Sequence, residues 1–379
     1  MEVYLKMKIK EVKVTTVSSE LDGHLENRYL SFSYDGIVYS KPRSLMIVEV
    51  FTDEDVTGVG IHAHCAPPAL FRANVEQITP MVIGENPFYN ERIWDKLFKT
   101  TYRYGRKGAI IGAISAIDIA LWDIKAKVLG KPLYQVLGGF RDKIPIYASG
   151  GYYREHNDVE ALVEHMTSWV KQGYTALKFK IGQKDYKSDI ARVQGVREAV
   201  GPDIKIMVDA LGTWQNAAHA IKIGKQLEKF DLAWLEEPVP VDDYRGLAEV
   251  KRALDTPIAS GETQFTKNGF WDMMSHDAVD IIMPDASVCG GITEFNKIVH
   301  TAASCGVQVA PHRSAEIHVH LAACMPNLLM TESFPMETPA FREIWKHPYE
   351  IKNGYITVPN RPGLGIEINE KAVEKYKVD

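Results

Sequence analysis

Residues 176–236 contain three short apolar runs that each end in an ionisable residue: Ala176-Leu-Lys-Phe-Lys180, Ile204-Lys-Ile-Met-Val-Asp209 and Ala233-Trp-Leu-Glu236. Four later apolar runs lead to ionisable residues in the same way, at Glu262, Asp285, His312 and Glu332. Successive members of this strand-end series lie 20 to 29 residues apart. One strand plus one helix takes roughly 30 residues in a barrel of about 250 residues whose active site lies at the carboxyl ends of the strands. We therefore expect the seven side chains to converge.

The composition is that of an ordinary globular protein, with 379 residues, 45% hydrophobic, 25% charged and a net charge of −5. The length predicts one barrel plus a second, smaller domain. The composition and the lack of a long apolar stretch argue against a nucleic-acid partner and against a membrane protein. The four cysteines, Cys65, Cys289, Cys305 and Cys324, have no CxxC spacing. We expect reduced, buried thiols and a cytoplasmic location.

Three different patterns precede the barrel series. From about Met7 to Asp55 the alternation of apolar residues predicts antiparallel strands. The polar and aromatic stretch Ser18 to Arg43 predicts a loop, either a substrate lid or an ordinary surface connection. The spacing of apolar residues from Ala109 to Leu129 predicts a helix with one buried face, ended by Gly130 and Pro132. Two aspartates of this helix, Asp118 and Asp123, are expected to be structural.

From Ile144 onward, strand patterns alternate with helical patterns, which indicates βαβ units and a parallel sheet. The predicted helices lie near residues 158–172, 187–200, 215–229, 244–254 and 293–304. Beyond Pro348 the sequence predicts a hairpin with an Asn-Gly turn, in a tail that is expected to return to the N-terminal domain.

Three carboxylates, Asp209, Glu236 and Glu262, end successive predicted strands. An all-oxygen set of this kind suits a hard divalent cation, most simply Mg²⁺. The alternative is a set of unrelated surface acids. Glu237 follows Glu236 directly, so the sequence leaves open which of the two is the ligand, and we favour Glu236.

Lys178 and Lys180 lie two residues apart on a predicted strand, so their side chains point to the same face. We expect their repulsion to lower the pKa of at least one of them, which would then act as a base near neutral pH. A solvated pair on an edge strand is the alternative.

Asp285 and His312 end two later strands, where a hydrogen bond would orient the imidazole and raise its basicity. His318 and His320 fall in a helical region, and we expect them to be packing or surface groups. Glu332, if protonated, would donate to a developing oxyanion. A lysine base and an Asp-His pair flanking a metal are what removal of the proton alpha to a carboxylate requires.

Several stretches together form a specific signature: Ala116-Ile-Asp-Ile-Ala-Leu-Trp-Asp-Ile-Lys-Ala-Lys127, Leu137-Gly-Gly139, Lys178-Phe-Lys180, Trp234-Leu-Glu-Glu-Pro238, Gly261-Glu262, Pro284-Asp-Ala-Ser-Val-Cys-Gly-Gly-Ile-Thr293 and Pro311-His312. In their order and spacing the chain resembles the enolase superfamily, and within it the mandelate racemase subgroup, over nearly its whole length. The resemblance implies an α/β fold, a (β/α)₇β TIM-like barrel with an α+β capping domain. We expect residues 1–140 to form the capping domain together with 345–379, and residues 141–344 to form the barrel.

By resemblance, Asp209, Glu236 and Glu262 would bind Mg²⁺, and Lys180 and His312 would be the two acid/base groups. Lys178 would lie beside the substrate carboxylate, Asp285 would pair with His312, and Glu332 would bond the enediolate. Leu211 departs from the family, which often has Asn or His two residues after the strand-three aspartate. This departure argues against the dehydratase branches that use a histidine there.

These observations predict a Mg²⁺-dependent lyase that dehydrates an aldonate or aldarate to a 2-keto-3-deoxy acid. The alternative is a racemase, epimerase or cycloisomerase that uses the same enediolate, and a third interpretation is a catalytically silent relative. The expected partners are a small-molecule carboxylate substrate and, by resemblance, further copies of the chain in a homo-oligomer. Tyr152, Tyr153 and Arg28 are candidate specificity contacts, although packing is an equal alternative for the tyrosines.

Overall fold

A computed structural model of the chain describes residues 6–19, 43–63, 66–153, 158–183, 185–335 and 339–378. Except for its ends, the candidate lid from Ser18 to Arg43, including Arg28, lies outside the described residues. The first elements are an antiparallel sheet in the order β1-β2-β3, as the alternating pattern predicted. Its strands are Ile9–Ser19 (β1), Arg43–Thr52 (β2) and Thr57–His62 (β3).

Four helices follow this sheet: Pro68–Val82 (α1), Asn90–Thr101 (α2), Ala109–Val128 (α3) and the short Leu133–Val136 (α4). The end of α3 is as predicted, because Gly130 adopts a left-handed φ of 63°. The expectation of a single buried face is wrong. Fifteen of the 20 residues of α3 are buried, because the helix lies between β3 and a helix of the barrel.

Eight parallel strands form the barrel: Lys143–Gly150 (β4), Ala176–Lys180 (β5), Lys205–Asp209 (β6), Leu232–Glu236 (β7), Ile258–Ser260 (β8), Ile281–Ile282 (β9), Gln308–Val309 (β10) and Thr331–Ser333 (β11). They pair in chain order from β4 to β10, and β11 pairs with β4. The barrel closes where Val309 binds the backbone of Asn327 at 3.0 Å and of Leu329 at 2.8 Å.

Within the described residues, one α-helix lies between each pair of consecutive barrel strands: Asp158–Lys171 (α5), Tyr186–Val200 (α6), Ala217–Leu227 (α7), Tyr244–Ala253 (α8), Thr266–Ser275 (α9), Gly291–Ser304 (α10) and Ala315–Ala322 (α11). Five of these helices match the predicted ranges closely. The sequence pattern did not predict α9.

Alternation along the strands separates an inner and an outer core. Tyr147, Met207 and Trp234 belong to a cluster that fills the barrel, whereas Phe179 packs in the layer between strands and helices. Because Lys178 and Lys180 flank Phe179, their side chains point inward.

The tail begins with Pro339–Glu343 (α12) and forms a hairpin from Ile351–Lys352 (β12) and Tyr355–Thr357 (β13). The predicted Asn-Gly turn is present, with left-handed φ angles at both turn residues. The hairpin pairs with barrel strand β4 rather than with the N-terminal sheet. The last helix, Glu370–Tyr376 (α13), contacts β1.

Two sequence expectations concern the chain as a whole. Among the described helices, none combines the length and apolar character that a bilayer span requires. Cys289, Cys305 and Cys324 are free thiols. The expectation that the thiols are buried is confirmed for Cys289 and wrong for Cys305, which is exposed, while Cys324 is half-buried and Cys65 lies outside the described residues.

Candidate active site

The strand-end series converges at the carboxyl ends of the barrel strands. Three of its members, Lys180, Asp209 and Glu236, are the last residues of β5, β6 and β7. Glu262, Asp285 and His312 come two or three residues after β8, β9 and β10, and Glu332 lies within β11. All seven side chains and Lys178 are buried.

Asp209, Glu236 and Glu262 form one carboxylate cluster. Each of them offers one oxygen, and these oxygens lie within 4.8 Å of one another. Burial and the neighbouring charge of Asp209 raise the pKa of Glu236 to about 8. Crowded, buried carboxylates of this kind are stabilised by a cation, and an all-oxygen donor set fits Mg²⁺. Glu237 is outside this cluster, and its carboxylate accepts a hydrogen bond from Ser260 at 3.4 Å.

Both lysines are engaged by carboxylates. Lys178 lies 2.7 Å from Glu236 and 2.9 Å from Glu332, and Lys180 pairs with Asp209. Burial alone would lower the pKa of both lysines, but the adjacent carboxylates raise both values above the ordinary lysine range. The expectation that mutual repulsion lowers one of these pKa values is therefore wrong for this arrangement.

His312, on the loop after β10, contacts the carboxylate cluster at Glu262. Its Nδ1 lies 3.2 Å from Asp285 Oδ2, and its Nε2 lies 3.3 Å from Glu262 Oε2. Burial lowers the pKa of His312, but the carboxylates of Glu262, Asp285 and Glu332 outweigh burial and raise it to about 9. The ring is thus a protonated donor at neutral pH, held in one orientation by Asp285.

Glu332 is an anion in this structure. Burial favours its neutral form, but the charges of Lys178 and His312 lower its pKa to about 2. Its Oε2 also accepts a hydrogen bond from the backbone N–H of Arg313 at 2.7 Å. The sequence analysis expected Glu332 to donate to an oxyanion only if it is protonated. These contacts favour the anion instead, so that condition is not met.

The total charge also suits a divalent cation. Five carboxylates, those of Asp209, Glu236, Glu262, Asp285 and Glu332, surround three basic groups, those of Lys178, Lys180 and His312. Two negative charges are left over when all eight groups are ionised, and a bound cation would favour the ionised form of Glu236, whose pKa is otherwise raised. The residues present therefore fit Mg²⁺ in charge as well as in donor type.

The candidate specificity residues have different neighbours. The ring of Tyr152 lies 5.7 Å from Lys180 Nζ, so Tyr152 borders the site. Tyr153 is buried and donates its hydroxyl hydrogen bond to Asp189, which favours the packing alternative for this tyrosine. Leu211 adopts a left-handed φ of 53° and adds no ionisable group beside Asp209.

Sequence reasoning missed several groups that support the site. Trp234 donates its indole N–H to Glu236 at 3.2 Å, and Ser287 donates to Asp285 through both its backbone N–H and its hydroxyl at 2.8 Å. The inward-facing position of Trp234, two residues before Glu236, is a signal for the first contact. Ser287 lies in the quoted motif after Pro284, but the motif does not say which atom it binds.

Comparisons with known proteins agree with this geometry. The enolase C-terminal domain-like family matches residues 161–372, and the mandelate racemase / muconate lactonizing enzyme N-terminal domain matches residues 37–138. Arabinonate dehydratase of Saccharolobus solfataricus is 36% identical over 342 residues, which cover 89% of this chain and 91% of that protein. D-galactarolactone cycloisomerase of Agrobacterium fabrum is 33% identical over 388 residues, covering 98% of this chain and 99% of that protein.

A solved structure of L-talarate/galactarate dehydratase from Salmonella typhimurium, liganded with Mg and L-lyxarohydroxamate, superimposes with a TM-score of 0.90. It is 31% identical, and the match covers 100% of this chain and 95% of that chain. The protein therefore belongs to the mandelate racemase and muconate lactonizing enzyme family of the enolase superfamily.

Proposed function

We propose that the protein is a Mg²⁺-dependent sugar-acid dehydratase that converts an aldonate or aldarate to a 2-keto-3-deoxy acid. The observation that carries this proposal is the pairing of two acid/base groups with one carboxylate cluster. Lys180 contacts Asp209, and His312 contacts Glu262. Arabinonate, talarate and galactarate dehydratases among the relatives support the substrate class.

Asp209, Glu236 and Glu262 would hold Mg²⁺. When bound, the ion would stabilise negative charge that develops on the carboxylate oxygens of the substrate. Lys178, which lies between Glu236 and Glu332, would place a positive charge beside the same carboxylate.

Lys180 would take the proton from the carbon alpha to the carboxylate. It must first be neutral, and its present partner Asp209 is one of the three proposed ligands. A cation on Asp209 opposes the ammonium form of Lys180, because it cancels the charge that favours that form. The pKa of Lys180 is thereby coupled to loading of the carboxylate cluster.

His312 would give its proton to the departing β-hydroxyl group, which leaves as water. The carbon–oxygen bond breaks as the electron pair of the former C–H bond forms the double bond, and the resulting enol tautomerises to the 2-keto acid. Asp285 and Glu332, which are not among the proposed metal ligands, also raise the pKa of His312 and so favour a protonated imidazole for this step. Glu332, as an anion, would act by holding Lys178 and the Arg313 backbone in place.

Incubation of the protein and Mg²⁺ with a panel of aldonic and aldaric acids tests the proposal. We expect one or a few acids to give a 2-keto acid, detected as its semicarbazone, and Lys180→Ala to abolish the product. His300→Gln, on the outer helix α10, is the matched control and should keep the activity. Absence of product from every acid of the panel would remove the dehydratase assignment.

A second candidate is a cycloisomerase or racemase, favoured by the cycloisomerase relative that covers nearly the whole chain. Deuterium exchange at the alpha carbon without net dehydration would support this candidate. A catalytically silent relative is a third candidate. The presence of Lys180 and His312 together argues against it, and an unchanged cellular phenotype of Lys180→Ala would argue for it.

Domain division, assembly and compartment belong to the same proposal. The proposed boundary between residues 140 and 141 is supported by two family matches separated by β4. For the proposed return of 345–379 to the N-terminal domain, the contact of α13 with β1 is the support, whereas the C-terminal family match extends to residue 372. The homo-oligomer stays a prediction from the family resemblance, and light scattering would measure its mass. Free thiols support a cytoplasmic location.

A further inference from the structure

We propose that His318 is a positioning residue for proton donation by His312, because it joins the two loops that carry Asp285 and His312. The proposal rests on the dehydratase function above. His318 lies in α11, six residues after His312, and its side chain is fully buried.

Both ring nitrogens of His318 bind the backbone. Nε2 lies 3.0 Å from the N–H of Ala286, and Nδ1 lies 2.6 Å from the carbonyl oxygen of Arg313. A backbone N–H only donates and a carbonyl oxygen only accepts, so Nε2 must be unprotonated and Nδ1 must carry hydrogen. The ring is thus fixed as one neutral tautomer, and burial, which lowers the pKa of His318, favours the same form.

The two backbone partners of His318 are the direct neighbours of Asp285 and His312. Ala286 follows Asp285, and Arg313 follows His312. The ring therefore bridges the loop after β9 and the loop after β10. The 3.2 Å bond between Asp285 and His312 joins the same two loops, so its length depends on this bridge.

The surroundings leave His318 little freedom to move. Its ring stacks on Phe295 of α10, with ring centroids 5.6 Å apart and an interplanar angle of 25°. Ser287 donates two hydrogen bonds to Asp285 Oδ1, one from its backbone N–H and one from its hydroxyl, which leaves Oδ2 for His312. His318 sets the separation of the loops, and Ser287 sets the rotation of the carboxylate.

His320 provides a matched control. It lies in the same helix, is equally buried, and also binds the backbone through both nitrogens. Its partners are the carbonyl oxygen of Leu364 at 2.8 Å and the N–H of Tyr134 at 3.4 Å, which lie outside the active site. Substitution of His320 removes the same kinds of contact without touching the Asp285 and His312 loops.

The experiment compares two half-reactions in D₂O with Mg²⁺ and a sugar acid that the wild-type protein dehydrates. Deuterium uptake into recovered substrate reports proton removal by Lys180, and 2-keto acid formation additionally needs His312. We expect His318→Phe to raise the ratio of exchange to product by about 10- to 100-fold, the range known for residues that support a functional ligand. His318→Gln retains a donor and an acceptor and should recover part of the loss.

Two results would overturn the proposal. One is an equal fall of exchange and product in His318→Phe, which a merely structural role predicts. The other is an equal change of the ratio in His320→Phe. Melting temperatures of all variants show whether a loss of activity reflects unfolding.

A crystal structure of metal-loaded His318→Phe, or of His318→Gln if the first variant does not fold, tests the same claim without substrate. We expect the distance from His312 Nδ1 to Asp285 Oδ2 to exceed 3.2 Å, or the imidazole to occupy two orientations. An undisturbed pair contradicts the positioning role. This measurement holds even if the wild-type protein dehydrates no sugar acid, so the two proposals fail separately.

Discussion

Glu236 and Glu237 are neighbours in sequence but have different surroundings. Glu236 belongs to the carboxylate cluster, whereas burial and the charge of Glu262 raise the pKa of Glu237 well above its ordinary value. A neutral Glu237 resembles glutamine in shape and charge. We expect Glu236→Gln to weaken Mg²⁺ binding by at least about tenfold, the lower bound for residues that only support a ligand. Glu237→Gln should bind Mg²⁺ as the wild type does, as measured by titration calorimetry.

Calorimetry with Ca²⁺ provides a further control, because the larger cation accepts less regular oxygen shells. Equal losses in Glu236→Gln and Glu237→Gln would contradict the assignment of Glu236. A loss confined to Glu237→Gln would reverse it.

The raised pKa of His312 predicts how stability depends on pH in the metal-free protein. The folded-state value of about 9 lies above the ordinary value of 6.5. The imidazolium therefore stabilises the fold fully below pH 6.5, and this contribution is lost as the pH rises through 9. The free energy of unfolding of the wild type, measured with urea, should exceed that of His312→Gln by about 3 kcal/mol more at low pH than at high pH.

His219→Gln, at an exposed position of α7, is the control for this experiment and should show the same difference from wild type at both pH values. A difference between wild type and His312→Gln that grows with rising pH would show that burial, rather than the carboxylates, determines the pKa of His312.

At the residue scale, sequence spacing predicted which side chains come together but not their charge states. The strand-end positions of Lys180, Asp209 and Glu236 follow from strand periodicity and the direction of parallel strands. The raised lysine pKa depends on carboxylates that approach from other strands. These carboxylates lie at the ends of β6 and β7 and within β11, and how closely they approach the lysines depends on barrel geometry that a single sequence does not reveal.

The packing of β3 against α3 depends on two glycines without side chains. A Cβ added at Gly60 would lie 1.9 Å from the carbonyl oxygen of Ala116, and one at Gly58 would lie 2.1 Å from that of Ala120. These atoms belong to a helix backbone, so the strand or the helix must move as a unit. We expect Gly60→Ala to lower the free energy of unfolding by about 1–3 kcal/mol or more, measured by chemical denaturation.

Gly84→Ala separates this packing effect from the general effect of replacing glycine. A Cβ at Gly84 meets no atom within 4 Å, but the residue has a left-handed φ of 80°. Gly84→Ala should therefore lower the free energy of unfolding only through backbone conformation, by about 1–2 kcal/mol. If Gly60→Ala were as stable as wild type, the close approach of β3 to α3 would be contradicted.

At the element scale, helices with clear apolar spacing and the strands of the strand-end series were predictable, whereas the tertiary partners of the elements were not. The spacing from Ala109 to Leu129 located α3, but its burial on nearly all sides depends on the barrel that covers it. The two-residue strands β9 and β10 lie in the apolar runs before Asp285 and His312, as predicted, although they are too short for a periodic pattern. The Asn353-Gly354 turn identified the hairpin, whereas its pairing with β4 involves distant residues.

At the scale of the whole molecule, the N-terminal elements are bonded to the barrel loop that carries Asp285. His62, at the end of β3, lies 2.8 Å from the carbonyl oxygen of Ser287. Trp94 of α2 donates to the carbonyl oxygen of Gly290 at 2.7 Å. The position of this loop therefore depends on both parts of the chain, which explains why the complete site was not predictable from the barrel pattern alone.

Asp118 is a further link between the N-terminal elements and the barrel, and these links together predict cooperative unfolding. This buried carboxylate of α3 accepts hydrogen bonds from the backbone N–H of Thr293 at 2.9 Å and from its hydroxyl at 2.5 Å. We expect the wild-type protein to unfold in one calorimetric transition.

Asp118→Ala should lower the free energy of unfolding by about 1–3 kcal/mol, because it leaves buried donors unpaired. Asp95→Ala, which removes an exposed ion pair with Lys99, is the control and should change little. Two separate transitions in the wild-type protein would show that the two parts fold independently and that the Asp285 loop is held by the barrel alone.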